Sequence, residues 1–274
     1  IAAIDLASVF FDAGGIYCFV RPLAKVSYWR VFAAQASGIA INRLTPGNSL
    51  GEPIKITMLM AHVPEAAAVS AVVMFNVASY LVAVSAIAVG VVITLLWVDL
   101  PGQGGLIVLL VTATMLALVG GLVVLARRGA LATLLRAGRK LRLLSGARAA
   151  RWGTRLAEID GNIRRFGDAS TRRAVLCAAG SRALNMTGAL VILIASGTDL
   201  TVPLVAGTLS VGILITWISN VVPLGLGLAD GGNYALYGVL GGSPGAGLEF
   251  AMINRVRTVV LAVMAIANVI DRKR

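Results

Sequence analysis

The residues able to hold a charged ligand fall in two short stretches of an otherwise apolar chain. The first, residues 42 to 55 (NRLTPGNSLGEPIK), sets Asn42, Arg43, Glu52 and Lys55 on a backbone interrupted by Pro46, Gly47, Gly51 and Pro53. Each proline removes a donor and each glycine frees the dihedrals, so no unbroken helix is predicted there. The second, residues 220 to 236 (NVVPLGLGLADGGNYAL), repeats the order: Asn220, then Pro223, then glycines that include Gly227, then the acid Asp230, with Tyr234 behind it. Arg255 and Arg257 follow inside a third apolar run. Guanidinium groups and the free N–H groups of interrupted helices suit a phosphate. The carboxylates of Glu52 and Asp230 suit a cationic headgroup, or they neutralise the arginines; the residue types leave both open.

Other chemistries find little support in the sequence. There is no nucleotide-binding loop. His62 is the only histidine, has no cysteine or histidine beside it, and is read as interfacial rather than as a metal ligand. Cys18 and Cys177 sit in apolar runs, as small buried hydrophobes do. No metal, no cofactor and no catalytic group is therefore expected. If burial raised a carboxyl pKa, Glu52 and Asp230 could serve as general acid and base, which keeps a membrane-embedded enzyme as the alternative.

The elements that must position these residues are set by composition. Hydrophobic residues make up 58% of the 274, charged residues only 13%, and the mean hydropathy is +0.89. These values exclude an ordinary soluble domain and predict an all-α polytopic membrane protein. In a membrane an interrupted backbone survives only where it is buried in protein or lines a water-filled cavity. Paired interruptions in two halves point to a midplane site built from an internal repeat, whose copies are either parallel or inverted. We expect six to eight transmembrane segments with re-entrant or broken helices in one domain, 1–274: a first half 1–126, a basic connector 127–173 and a second half 174–274. The opening at Ile1 shows no signal-peptide pattern, and the natural start, with room for an earlier helix, is expected upstream.

Charge supplies the orientation. The net charge is +12, and residues 127–173 hold 13 Lys and Arg against Glu158, Asp160 and Asp168. A basic loop between apolar spans is the positive-inside pattern, so the localisation expected is a bacterial cytoplasmic membrane and no nucleic-acid partner is implied. The leucines and arginines of 131–144 alternate as in a helix lying on anionic lipid, or they form a solvated connector that only sets topology. Residues 1–20 span, with Asp5 and Asp12 seven apart on one face that should look into the bundle. Residues 31–41 are too short to cross and lead into the break, as a re-entrant hairpin would. Residues 66–97, at ~1.5 Å per residue, reach about 48 Å and must tilt, kink or protrude. After spans at 174–196 and 202–219, residues 220–246 either cross outward in two pieces or form an outward-facing hairpin before 247–270 returns.

The pattern Asn42, Pro46, Gly51, Glu52, then Pro223, Gly225, Gly227, Asp230, Gly231, Gly232, Tyr234, then Asn254, Arg255 and Arg257 resembles the transmembrane, flippase-like domain of the lysylphosphatidylglycerol synthase family. Within that family the chain is most similar to the stand-alone, hopanoid-associated branch. The resemblance covers nearly the whole chain and implies a helical lipid-handling fold. It also implies movement of a charged phospholipid, polyisoprenoid or hopanoid-type lipid, with the residues named above as lipid ligands. The soluble aminoacyl-transfer domain of full synthases is absent from the sequence given, so lipid aminoacylation does not carry over. Asp230 stands where a glutamate is expected, after two extra residues. Membrane lipids are the expected partners, with a second copy or lipid-biosynthesis proteins as further ones, and a scaffold in such a complex is the remaining reading.

Overall fold

A computed structural model describes residues 1–45, 49–98, 104–128, 157–219, 222 and 225–271. Pro46, Asn220 and Pro223, and the bulk of the basic connector (129–156), lie outside the described residues. Arg43 is described in its backbone alone. The described residues contain helices and no strand. In chain order these are α1 (Ala2–Val20), α2 (Tyr28–Leu44), α3 (Gly51–Met60), α4 (Glu65–Trp97) and α5 (Gly104–Arg128). A helical segment over 157–165 follows, then α6 (Asp168–Ala195), α7 (Val202–Ser219), α8 (Leu228–Val239) and α9 (Pro244–Asp271). Five of them, α1, α4, α5, α6 and α7, are long and apolar enough to cross a membrane. The chain is an all-α polytopic membrane protein.

The first interrupted stretch is more helical than its prolines and glycines suggest. α2 runs 17 residues and carries Asn42 in its last turn, while α3 begins at Gly51. Pro53 sits in the first turn of α3, where the missing N–H would have no helical partner in any case. At its other end α2 starts at Tyr28, three residues before the expected 31. Phe10 of α1 packs against Tyr28, Trp29 and Phe32 with ring centroids 4.9, 5.8 and 5.6 Å away. In the second stretch, Gly225 and Gly227 hold φ of +67° and +80°, values that side-chain-bearing residues rarely adopt. α8 then runs only 12 residues and stops before Gly241, φ +79°. It is too short to cross a membrane by itself.

The two halves share one order of elements. A long helix (α1, α6) is followed by a pair packed on each other (α2 with α3, α7 with α8) and by a second long helix (α4, α9). Contacts between the halves are reciprocal: α4 packs on α7, and α9 packs on α2. α1 and α6 form the most extensive helix pair among the described residues. They run antiparallel, because a Cβ on Gly14 would lie 3.4 Å from Cys177 Sγ, whereas one on Gly180 would lie 2.8 Å from Phe11. Small residues along such a seam allow close backbone approach, the main source of helix association in lipid. The helices that open the two halves therefore run in opposite directions.

Two of the three apolar clusters among the described residues flank the seam between the halves' helices. One joins Ile16, Phe19, Val31, Leu59, Ala68, Val72 and Phe75 to the 157–166 segment through Ile159, Ile163 and Phe166. The Phe19 and Phe166 rings meet with centroids 4.8 Å apart, tilted by 56°. The other joins Ile192, Leu193, Leu204, Leu236, Tyr237, Leu240 and Phe250.

Candidate functional site

Between α1, α2, α6, α7, α8 and α9 lies a cavity of about 700 Å³. Into it open Asp5, Asp12, Arg182, Asn185, Asn233, Asn254, Arg255 and Arg257, among small and apolar side chains such as Ala33, Ala36 and Ala189. Charge inside a helical membrane bundle is costly unless paired, so each charge here needs a partner or a use.

The deepest charge is paired. Asp5 is 2% exposed, and Arg257 Nε donates to both its carboxylate oxygens, at 2.9 and 2.8 Å, while Nη2 also donates to it. Nη2 reaches Asn185 Oδ1 at 3.5 Å as well. Gly188 makes room for this guanidinium, since a Cβ there would stand 3.1 Å from Nη2. Asp5 comes from the first turn of α1 and Arg257 from the middle of α9, so this pair ties the two ends of the chain together.

A second pair closes the other side. Arg255 Nη2 donates to both oxygens of Asp230 at 2.8 Å. Asp230 Oδ2 also accepts the Gly227 N–H at 3.0 Å, which caps the start of α8. Arg255 therefore fixes α9 against the α7–α8 turn. Tyr234, one turn further along α8, is 49% exposed and does not line the cavity.

The first stretch organises itself instead. Gly51 N–H donates to Asn42 Oδ1 at 2.6 Å, closing α2 onto α3. A Cβ on Gly51 would stand 2.2 Å from the Asn42 side chain and 2.3 Å from the Gly38 carbonyl, so glycine is required. Lys55, 4% exposed, packs against Gly38 and pairs with Glu52 at 2.7 Å. The other Glu52 oxygen accepts from Asn76 of α4 at 2.9 Å. Of the residues expected to hold lipid, Asn42, Arg255 and Arg257 line the cavity, joined by Asp5 and Asp12 from the inward face of α1. Glu52 is satisfied by Lys55 and Asn76, not by Asp230 or an arginine.

Three cavity residues, Arg182, Asn185 and Asn233, escaped the sequence reading, whereas Asp12 was expected on an inward face but without its partners. Asp12 accepts from Gln35 at 3.4 Å and from Ser181. Arg182 faces Asp12, yet among the described residues no ion pair within 4.0 Å and no hydrogen bond involves its guanidinium. Asn185 and Asn233 complete the polar wall. The signal for Arg182 was available, since a charge in the middle of the 174–196 span marks a site on its own. Its proximity to Asp12, on a helix 170 positions earlier in the chain, had no sequence signal.

No curated protein and no solved structure matches the chain. A family model, described as the lysylphosphatidylglycerol synthase TM region, matches residues 1–266, and the chain belongs to that family.

Proposed function

We propose that the protein takes the headgroup of a membrane lipid into the cavity between its halves and passes it between leaflets, a flippase-like activity. The observation that carries this reading is the cavity itself: about 700 Å³ of space, lined by two acids and three arginines, inside a bundle of membrane-length helices. Family membership agrees, since it associates the chain with a membrane region of lipid-handling proteins. The α2–α3 and α7–α8 pairs act as re-entrant hairpins, the first opening to the cytoplasm and the second to the opposite face. Their turns bring Asn42, Ser219 and Gly225 to the cavity wall. Inverted halves carrying such hairpins give one site two possible exits, as alternating access requires. The charged wall favours a phospholipid over an uncharged hopanoid. The membrane is a bacterial cytoplasmic membrane, with the basic connector inside.

Filling the cavity without touching its charges tests the reading. Ala36→Trp and Ala189→Phe both project bulk into the space. Purified variants that stay monodisperse and melt near the wild-type temperature should move acyl-labelled fluorescent phospholipid across proteoliposomes at least about tenfold more slowly. Wild-type rates in both filled variants would refute the cavity as the lipid path.

A further inference from the structure

The charges in the cavity are not used equally. Arg257 is held by Asp5 and Arg255 by Asp230. Arg182 and Asp12 face each other across the α1–α6 seam without touching, separated by more than the 4.0 Å of an ion pair. Around them stand acceptors with nothing to accept. Gln35, which donates to Asp12 and is 3% exposed, has an Oε1 with no partner. Asn233, also 3% exposed, donates its Nδ2 to the Ala229 carbonyl and leaves Oδ1 unpartnered at the cavity. Buried acceptors in a native fold are rarely left without a donor. Beyond its ion pairs the cavity thus presents the Arg182 guanidinium, the Asp12 carboxylate and the spare Asn233 oxygen, with the Gln35 oxygen buried behind Asp12.

We infer that Asp12 and Arg182 form a subsite for a headgroup that carries a phosphate and a primary ammonium together, the phosphoethanolamine class. This rests on the lipid-binding reading above and gives it a substrate. The phosphate lies on Arg182, whose planar donors match its oxygens. The ammonium lies on Asp12, and its remaining N–H groups supply donors that the free acceptors lack. Such a ligand is neutral overall, as the Asp12 and Arg182 pair is, so it enters without leaving either charge unpaired in low dielectric. A glycerol headgroup brings the phosphate but strands Asp12. A choline headgroup brings positive charge but no N–H, and leaves the acceptors unmet. Soluble phosphoethanolamine has the same chemistry as the lipid, and the experiment separates them.

Full-length protein in proteoliposomes is supplied with acyl-labelled phosphatidylethanolamine, phosphatidylglycerol or phosphatidylcholine. In parallel, native mass spectrometry follows retention of each lipid from an equimolar mixture. The ethanolamine lipid should be retained and moved at least about tenfold better than the other two, as expected for charge-assisted hydrogen bonds on both groups. Arg182→Gln should reduce it to the phosphatidylglycerol level. Asp12→Asn should remove the preference for the ethanolamine lipid over phosphatidylglycerol. If a single variant loses its monodisperse peak, Asp12→Asn with Arg182→Gln removes both charges together, and it too should treat the three lipids alike. Equal handling of the three lipids by the wild type, or a preference that survives both substitutions, overturns the subsite and leaves the lipid-transport reading standing. Retention of the ethanolamine lipid with no movement of any lipid upholds the subsite and refutes transport. Binding of soluble phosphoethanolamine alone, with no lipid retained, overturns the assignment to a lipid.

Discussion

Arg257 and Asp5 show what a buried charge costs when its partner is removed. The carboxylate is 2% exposed and the guanidinium side chain 10% exposed, so each relies on the other for nearly all its compensation. Arg257→Gln should therefore destabilise the fold by about 3–5 kcal/mol, and Asp5→Asn by a similar amount. The double variant should recover much of that loss, because no unpaired charge remains. Thermal melting of the four proteins in one detergent checks it, and additive losses in the double would rule out a structural pair. Glu52 presents a different case. It is about one third exposed, whereas its partner Lys55 is buried, so the cost of Glu52→Gln falls on the stranded ammonium. A melting-temperature drop that Lys55→Met then relieves is the expected outcome. A Glu52→Gln protein that melts like the wild type yet fails to move lipid would instead assign this carboxylate a direct part in transport.

At the scale of the element, the α2–α3 hairpin depends on one glycine and one amide. Gly51 has the Asn42 side chain and the Gly38 carbonyl where its Cβ would stand, and its N–H is bound to Asn42 Oδ1. Gly51→Ala should push α3 away from α2, lower the melting temperature by several degrees and reduce the monodisperse fraction on size exclusion. Gly231, on α8, has open space around it, and Gly231→Ala should be neutral or slightly stabilising because alanine favours the helix. The two substitutions are chemically identical, so a difference between them reports the close approach rather than glycine content. Equal melting temperatures would contradict the hairpin packing.

At the scale of the molecule, the antiparallel seam of α1 and α6 joins the halves, and the charge of the basic connector predicts their orientation in the membrane. The seam can be caught covalently. With Cys18 changed to Ser, Gly14→Cys should form a disulfide with Cys177 under mild oxidation, since the distance from the position-14 Cβ to Cys177 Sγ is 3.4 Å. Its absence on non-reducing peptide maps would argue against this register. Orientation is tested with Ser145→Cys in a protein with both native cysteines replaced. An impermeant maleimide added to intact cells should leave position 145 unlabelled until the membrane is opened, as the positive-inside rule requires. Labelling from outside would invert the topology and exchange the faces onto which the two hairpins open.

Composition and pattern alone determined the all-helical membrane fold, the limits of α4 to within a residue, and the two stretches where helices are interrupted. Those properties are local: a run of apolar residues spans whatever its neighbours do, and Gly225 or Pro53 acts on its own turn. The pairing of charges was not legible, because it depends on which helices meet. Asp5 and Arg257 are 252 positions apart, and nothing in either neighbourhood names the other. Glu52 and Asp230 look like counterparts in sequence, yet Lys55 and Asn76 take one and Arg255 the other. The tertiary structure alone decided that Arg182 faces Asp12 with no ion pair closed between them. In low dielectric every charge must be compensated, and only the packing of α1, α6 and α9 determines which charges compensate one another and which are left for a ligand.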